Sequence, residues 1–597
     1  MPMKNSNHEF NLKALGKVNL IFFFVILFIG LFIVRLFYVQ VIKYSYYKHS
    51  ALIGQLEQAK IPATRGLIEA HQGNQIMPIV LNQELFTIYA DPSLIKNPST
   101  SSSKIAAILG SPSNSYEKLL STKHSRYIIL AKKITQVQSD KIIALKLPGI
   151  GSIGQDYRTY PQGDLAGQLL GFVNENGKGT YGIEQYFNKE LSGTPGYLKA
   201  ITDVNGVPLA SSKGNIDVPP VDGSNTVLTI DIAMQKQVQD IIKKVATDVK
   251  SPLVSAVIMD PNSGAIKAMA NYPSYNPAEY SKVTDSNLFN NAAVSNPIEV
   301  GSIMKVLTTT SALDQKVIKQ DTTYNDPGSW LIDGFRIKNV EEDGGAGVRS
   351  IEDLLNLSLN TGATWLLMQM GNGQINKQAR QAWYDYETKH FRLGQDTGIE
   401  QGYEAKGVFP QPNIAYQSDE QQNLNYANTT FGQAMTASAL QMDSALSSII
   451  NGGTYYKPHL LDGTIDNSGN VTYKKPIVVS NNVVSSSTTS NIIPLLQQVV
   501  KGHYQMGFKY LNFPSNYVVG GKTGTAQIAN PNGGYQDHLF NGTYIGFVGG
   551  DKPQYAIAIF VTTPTVPGYA GSYAAQPIFG SIAHMLIDES YVRPIGQ

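Results

Sequence analysis

"VGSIMKVL", Val300–Leu307, places one serine and one lysine three residues apart in an otherwise apolar stretch. On a helix, residues i and i+3 share a face, so the Ser302 and Lys305 side chains can meet. The first backbone N–H groups of a helix lack intrahelical acceptors and can receive a developing oxyanion. Burial and nearby positive charge lower a lysine's pKa, which lets a neutral amine act as base toward the serine. A capping serine followed by a snorkelling lysine has the same spelling, and for an isolated S-x-x-K that is the commoner meaning. The spacing recurs at Ser45/Lys48, Ser101/Lys104 and Ser115/Lys118, but only Ser302 follows a glycine and has apolar neighbours throughout.

Two further motifs change the weight of the first. Ser358-Leu359-Asn360 lies in NLSLNTGATW beside a helix-like stretch, although S-x-N also occurs at Ser274/Asn276 and Ser468/Asn470. Lys522-Thr523-Gly524 occurs once, followed by Thr525 and preceded by the strand-like Tyr517-Val518-Val519. A strand punctuated by glycine lets its backbone approach an extended ligand and pair with it as an added strand. Lys522 and the hydroxyls of Thr523 and Thr525 then suit a carboxylate on that ligand. Standing alone, K-T-G reads as a simple turn.

Around these motifs the pattern is that of one large α/β domain. Thr226–Asp231 reads as a short strand and Ile232–Val245 as an amphipathic helix. Ser255–Asp260 and Ala265–Ala270 form a hairpin across Pro261-Asn262-Ser263-Gly264. Asn516–Ile528, Tyr544–Gly549 and Tyr555–Val561 are three more strands, the last two joined at Gly550-Asp551-Lys552-Pro553, and Tyr573–Ile587 is a closing helix. Strands at both ends with a helical middle predict an antiparallel sheet whose edges come from distant parts of the chain. Upstream, Ala63–Asn82 reads as short strands and turns. The serine-rich patch Pro98–Ser103 is a polar segment ahead of a helical region reaching Leu145, and recurrent glycines from Gly149 to Gly206 mark a loop-rich, β-containing module.

The chain has 597 residues, so two or three folded units are the natural division. A hydrophobic content of 42%, charged content of 15% and formal charge of +2 exclude a disordered chain, and no clustered basic face points to nucleic acid. The absence of cysteine excludes disulfides, thiol catalysis and cysteine-ligated metals. The nine histidines show no ligand-type spacing, so neither a metal nor a cofactor is expected. Val18–Val34 is strongly polar only at Asn19. With Leu36–Val39 beyond Arg35 it reaches ~20 residues, enough to cross the ~30 Å hydrocarbon layer. Large side chains where a signal peptidase would need small ones favour an uncleaved anchor over a signal peptide.

In this order, the three motifs resemble the penicillin-binding proteins and serine β-lactamases. Arg65-Gly66-Leu67-Ile68, Tyr160-Pro161-Gln162-Gly163 with Ala166–Val173, and Gly182-Ile183-Glu184 with Leu191–Gly196 look like the pedestal motifs of class B penicillin-binding proteins. Phe431-Gly432-Gln433, Leu440-Gln441 and Asn451-Gly452-Gly453 look like the segments before the third motif, somewhat closer to septal than to elongation-type relatives. Val300 stands where many relatives have proline, Leu359 replaces the middle residue of S-D-N, and Glu69–Gly73 departs from the usual Asp-Arg-Asn-Gly. Arg65 is read as structural, with Glu184 its candidate salt-bridge partner.

The resemblance implies an architecture in four parts. Residues 1–17 would be a cytoplasmic tail, 18–39 the anchor, 40–220 a β-rich pedestal of the dimerisation type, and 221–597 a transpeptidase domain. That domain would have a five-stranded antiparallel sheet flanked by helices plus an all-helical subdomain, an α+β multidomain fold. The implied activity is peptidoglycan D,D-transpeptidation at the outer face of a bacterial cytoplasmic membrane. Ser302 would attack the penultimate D-Ala of a stem peptide and Lys305 would take its proton. Ser358 would relay a proton to the leaving D-Ala, and Asn360 would orient Lys305 and the substrate amide. Lys522, Thr523, Gly524 and Thr525 would hold the terminal carboxylate, with the backbone N–H groups of Ser302 and Thr525 as oxyanion hole. β-Lactams would acylate Ser302. No glycosyltransferase domain fits before the catalytic domain, so the implied partners are a SEDS-type membrane glycosyltransferase and division or elongation proteins. The rival readings are a carboxypeptidase or β-lactamase that uses water, and a non-catalytic β-lactam sensor or scaffold.

Overall fold

The computed structural model describes residues 12–44, 56–122, 125–201, 216–339, 345–412, 418–466, 468–530 and 533–596. Most of the expected tail, residues 1–11, and the Ser45/Lys48 pair lie outside them. The chain forms two compact units, one of residues 1–64 with 193–222, the other of residues 65–192 with 223–597.

The first unit contains the helix Leu12–Phe37, which continues into a π-helical turn, Tyr38–Ile42. Its span Phe22–Ile42, with mean hydropathy 2.7, is long and apolar enough to cross a membrane. The same unit holds a three-stranded antiparallel sheet of Leu56–Ile61, Gly196–Ile201 and Ile216–Val218.

The second unit is built around two sheets. The five-stranded sheet runs in the order Ile266–Tyr272, Leu253–Met259, Pro553–Thr562, Tyr535–Gly549, Val518–Ala529, with every neighbouring pair antiparallel. Its edges come from opposite ends of the domain. Both faces are covered. Met234, Val238, Ile242 and Ala246 recur at helical spacing on Ile232–Asp248 and pack with Ile578, Phe579 and Ile582 of the closing helix against one face. Asp231 starts the former helix by accepting from the Met234 N–H at 2.9 Å. The other face packs on a larger core that includes Ile303, Val306 and Leu307.

The second sheet has seven strands. Val471–Tyr473, Leu461–Ile465, Asn225–Asp231, Ile68–Gln72, Gln75–Ala90 and Ile128–Ile134 follow one another, and Ile150–Thr159 also pairs with Gln75–Ala90. It joins strands from either side of residue 220, with Ile68–Gln72 parallel to Asn225–Asp231.

Two local expectations change. The serine-rich patch is itself helical, as the opening turns of Pro98–Leu109. Pro98 occupies the first turn, where its missing N–H costs nothing, and the Ser102 and Ser103 hydroxyls donate back to the Ser99 carbonyl. The strand expected from Tyr544 begins at Tyr535. Its polar half pairs with Val518–Ala529 but has exposed side chains, so no apolar alternation announces it.

Asp443, in the helix Ala439–Ile450, is fully buried, and neither carboxylate oxygen has a hydrogen-bond partner among the described residues. Burial drives its pKa well above the usual carboxylate range, so the native state keeps a proton that the unfolded chain sheds above about pH 4. The native state binds the extra proton, so this group makes stability fall as pH rises. Asp443→Asn should therefore melt higher than wild type at pH 8, with a gap that shrinks toward pH 5. A pH-independent gap in thermal melts would refute this account.

Candidate functional site

Two segments, remote in sequence, meet at Lys305: its own turn and residues 358–360. Its side chain is completely buried, and its Nζ donates to Ser302 Oγ at 3.0 Å, Ser358 Oγ at 3.2 Å, the Ser358 carbonyl at 2.5 Å and Asn360 Oδ1 at 2.8 Å. Among the described serines in S-x-x-K spacing, Ser302 is the one whose lysine also meets the S-x-N segment.

Ser302 sits in a tight 3-10 turn, Gly301–Ile303, from which the helix Met304–Asp314 continues. Gly301 makes the turn possible. Its φ is +64°, and a β-carbon there would lie 2.7 Å from the Thr525 carbonyl oxygen and 3.0 Å from the Thr525 nitrogen. The turn is held from two further directions. The Gly301 N–H donates to the Gly432 carbonyl at 3.0 Å, and Thr543 Oγ1 donates to the Val300 carbonyl at 2.6 Å. Glu299 accepts from the Ala434 N–H at 2.8 Å and from the Tyr535 hydroxyl at 3.2 Å, and burial raises its pKa. Val300, at the position where proline is frequent in the family it resembles, is wholly buried.

Ser358 adopts φ +57°, a left-handed conformation between the helices Ile351–Asn356 and Asn360–Met370. That reversal turns both its carbonyl and its hydroxyl toward Lys305. Leu359 is fully buried, which explains why an apolar residue serves at the middle of the motif. Asn360 also donates from Nδ2 to the Lys338 carbonyl at 3.3 Å, so its amide is oriented with the oxygen toward Lys305.

Lys522 and Thr523 lie on the edge strand Val518–Ala529 and are buried. The Lys522 ammonium donates to the Thr523 carbonyl at 3.2 Å. Gly524 lets this strand press against the serine turn: a β-carbon there would meet Thr543 Oγ1 at 2.2 Å, the Val300 carbonyl at 2.6 Å and the Ile303 nitrogen at 3.0 Å. Thr525 Oγ1 accepts from the Gly571 N–H at 2.9 Å, which leaves its own hydroxyl proton free to turn toward a ligand. The structure thus packs the Thr525 backbone against Gly301, beside Ser302. The arrangement is suited to acyl transfer: one serine hydroxyl on a buried amine, a second serine hydroxyl on the same amine, and cationic and hydroxyl groups on an edge strand.

Sequence reasoning missed several supporting groups. Arg158 joins Arg65 on Glu184, with contacts of 2.6 Å from Arg158 Nε to Oε1 and 2.8 Å from Arg65 Nε to Oε2. His503 and Gln576, bonded to each other, lie in the interior of the domain, and Thr543 and Glu299 brace the serine turn. None belongs to a motif, and no local spacing marks them.

The chain matches the family model of the penicillin-binding protein transpeptidase domain over residues 254–584, and that of the penicillin-binding protein dimerisation domain over residues 60–228. It is 30% identical over 522 residues to stage V sporulation protein D of Bacillus subtilis, covering 86% of this chain and 77% of that one. It is 24% identical to peptidoglycan D,D-transpeptidase FtsI of Escherichia coli K12, covering 94% and 89%. Among solved structures it resembles penicillin-binding protein 3 of Mycobacterium tuberculosis in complex with aztreonam, with 25% identity, TM-score 0.67 and coverage of 90% and 98%. Penicillin-binding protein 2X of Streptococcus thermophilus shares the fold, with TM-score 0.72 at 20% identity over 90% of this chain and 80% of that one.

Proposed function

This chain belongs to the class B penicillin-binding proteins, and from that premise we propose that it cross-links peptidoglycan as a D,D-transpeptidase with Ser302 as nucleophile. The observation that carries the assignment of residues is the single buried ammonium shared by Ser302, Ser358 and Asn360. Ser302 Oγ attacks the carbonyl of the penultimate D-Ala while Lys305, neutral at that moment, takes the hydroxyl proton. The tetrahedral oxyanion faces the backbone N–H groups of Ser302 and Thr525; one such donor contributes ~10²–10³ in rate. Collapse breaks the peptide bond, and Ser358 passes a proton from Lys305 to the departing D-Ala amine. An amine on a neighbouring stem then attacks the acyl-enzyme, giving up its proton along the same path and regenerating Ser302. Lys522, Thr523 and Thr525 hold the terminal carboxylate during the first half, while Gly524 gives the strand its close approach. A β-lactam follows the first half only, its ring opening onto Ser302.

The helix Leu12–Phe37 supports a single-pass anchor in the bacterial cytoplasmic membrane, with the catalytic domain outside. In this reading residues 40–220 form the pedestal and 221–597 the transpeptidase domain. A SEDS-type glycosyltransferase supplies the glycan strand within a division or elongation complex.

The test is partition of the acyl-enzyme. With a thioester analogue of acyl-D-Ala-D-Ala, added acceptor amine should divert product from acid to amide while total turnover holds or rises. Acid as the sole product at every amine concentration would replace the transpeptidase with a carboxypeptidase. Stoichiometric acylation without turnover would replace it with a sensor.

A further inference from the structure

We propose that His503 is a positioning residue that ties the Ser358–Asn360 turn to the part of the domain carrying Lys522; this rests on the catalytic reading above. His503 lies in the last turn of the helix Ser486–Gln505 and is buried. That helix packs on both the Lys522 strand and the short helix Ile351–Asn356, whose end leads into Ser358.

Two polar neighbours define the ring. Its Nδ1 lies 2.6 Å from Nε2 of Gln576, a fully buried side chain in the first turn of Gln576–Asp588. Gln576 Oε1 accepts from the Tyr510 hydroxyl at 3.2 Å, which orients the amide with its nitrogen toward the imidazole. His503 Nδ1 is therefore an acceptor, and the ring proton is on Nε2. The Asn356 backbone also faces the ring and holds its pKa up, the effect of a carbonyl beside Nε2–H. Carbonyls at a helix end lack intrahelical partners, so the imidazole is placed to cap this end two residues before Ser358. Gly502 brings the two segments together: a β-carbon on it would fall 2.2 Å from Asn356 Oδ1.

The ring must stay neutral for this pattern. Burial and the charge of Lys522 push its pKa down to about 4. An imidazolium would also turn Nδ1–H against the Gln576 amide donor. Asn356 presents a carbonyl, Gln576 an amide, and Tyr510, reached through Gln576, a neutral phenol; Lys522 is the cation whose field the ring feels. Fixing the end of Ile351–Asn356 fixes the left-handed Ser358, and with it the two Ser358 oxygens on Lys305.

The test compares second-order acylation rates by a fluorescent penicillin in wild type, His503→Leu, His503→Gln and Gln576→Leu, each with a thermal melt. His503→Leu keeps the bulk and removes both polar contacts of the ring, and should slow acylation by up to ~10²-fold, the scale of a catalytic group displaced by about 1 Å. His503→Gln, which can offer an N–H to the Asn356 carbonyl, should recover most of that loss. Gln576→Leu, which leaves the imidazole in place but unsupported, should fall between the two and reads the same coupling if His503→Leu fails to fold. Wild-type rates in His503→Leu, or in Gln576→Leu where the former does not fold, would overturn the proposal. So would a His503→Gln variant as slow as a folded His503→Leu. Wild-type protein that takes no label at Ser302 would instead overturn the catalytic reading beneath it.

Discussion

Ser302→Ala should abolish covalent labelling by a fluorescent penicillin, and Lys305→Met should lower it by at least about 10³-fold while leaving the protein folded. The first effect should be absolute because, on the proposed mechanism, the label is an ester to Ser302 Oγ and alanine has no atom to form it. The second follows from geometry: the Lys305 amine, 3.0 Å from that oxygen, is the group placed to receive its proton. Methionine keeps the length of the side chain in its buried slot. It leaves the Ser358 carbonyl and Asn360 Oδ1 without their lysine donor, which costs stability on the order of 1–3 kcal/mol rather than unfolding the domain. Because serine and lysine act as one unit, the double variant should be no worse than Ser302→Ala. Mass spectrometry of the intact protein reads all three. Equal labelling of wild type and Ser302→Ala would remove Ser302 as the nucleophile.

Glu184→Gln should destabilise the region around residues 65–192 by about 3–5 kcal/mol, the cost of removing one member of a buried ionic cluster. The Glu184 side chain is inaccessible to solvent, and it is shared by Arg65, 11% exposed, and Arg158, 4% exposed. Most of the remaining guanidinium nitrogens are also spent, although Arg158 Nη2 is buried without a hydrogen-bond partner among the described residues. Arg65 reaches Asn188 Oδ1 at 3.1 Å and Ser192 Oγ at 2.7 Å, and Arg158 reaches Asn82 Oδ1 at 2.8 Å. The Asn82 amide in turn donates to the Arg65 carbonyl. One carboxylate therefore offsets two buried cations drawn from strands and loops far apart in sequence. Glutamine preserves the shape and can still accept a hydrogen bond, but it leaves two buried positive charges facing each other without an anion. Limited proteolysis and thermal melting measure the effect. A shift below about 1 kcal/mol, the scale of a solvent-exposed pair, would mean that water screens the cluster.

Several elements were legible in the sequence because their signal is local. The hairpin at Pro261–Gly264, the strand ahead of K-T-G and the closing helix each carry their own periodicity or turn residues, and the structure has all three. The Arg65–Glu184 pair was reached through resemblance, whereas Arg158 looked like any surface cation until folding brought it within 2.6 Å of the same carboxylate. The helical serine patch and the polar half of Tyr535–Gly549 were missed for a shared reason. Hydrophobic periodicity reports burial, and these stretches are held by backbone and hydroxyl hydrogen bonds instead.

The same division runs through the site. Sequence determined which side chains were chemically able to act, since a serine, a lysine and a threonine keep their functional groups in any fold. It could not choose among the several S-x-x-K spacings by spacing alone. Only the tertiary structure decided that, by surrounding one lysine with Ser302, Ser358 and Asn360, by leaving Gly301 and Gly524 without side chains where two backbones meet, and by burying His503 between Asn356 and Gln576. The physical reason is that a hydrogen bond between residues more than fifty positions apart depends on distance and angle in space. No residue's identity carries that information until the chain between them is packed.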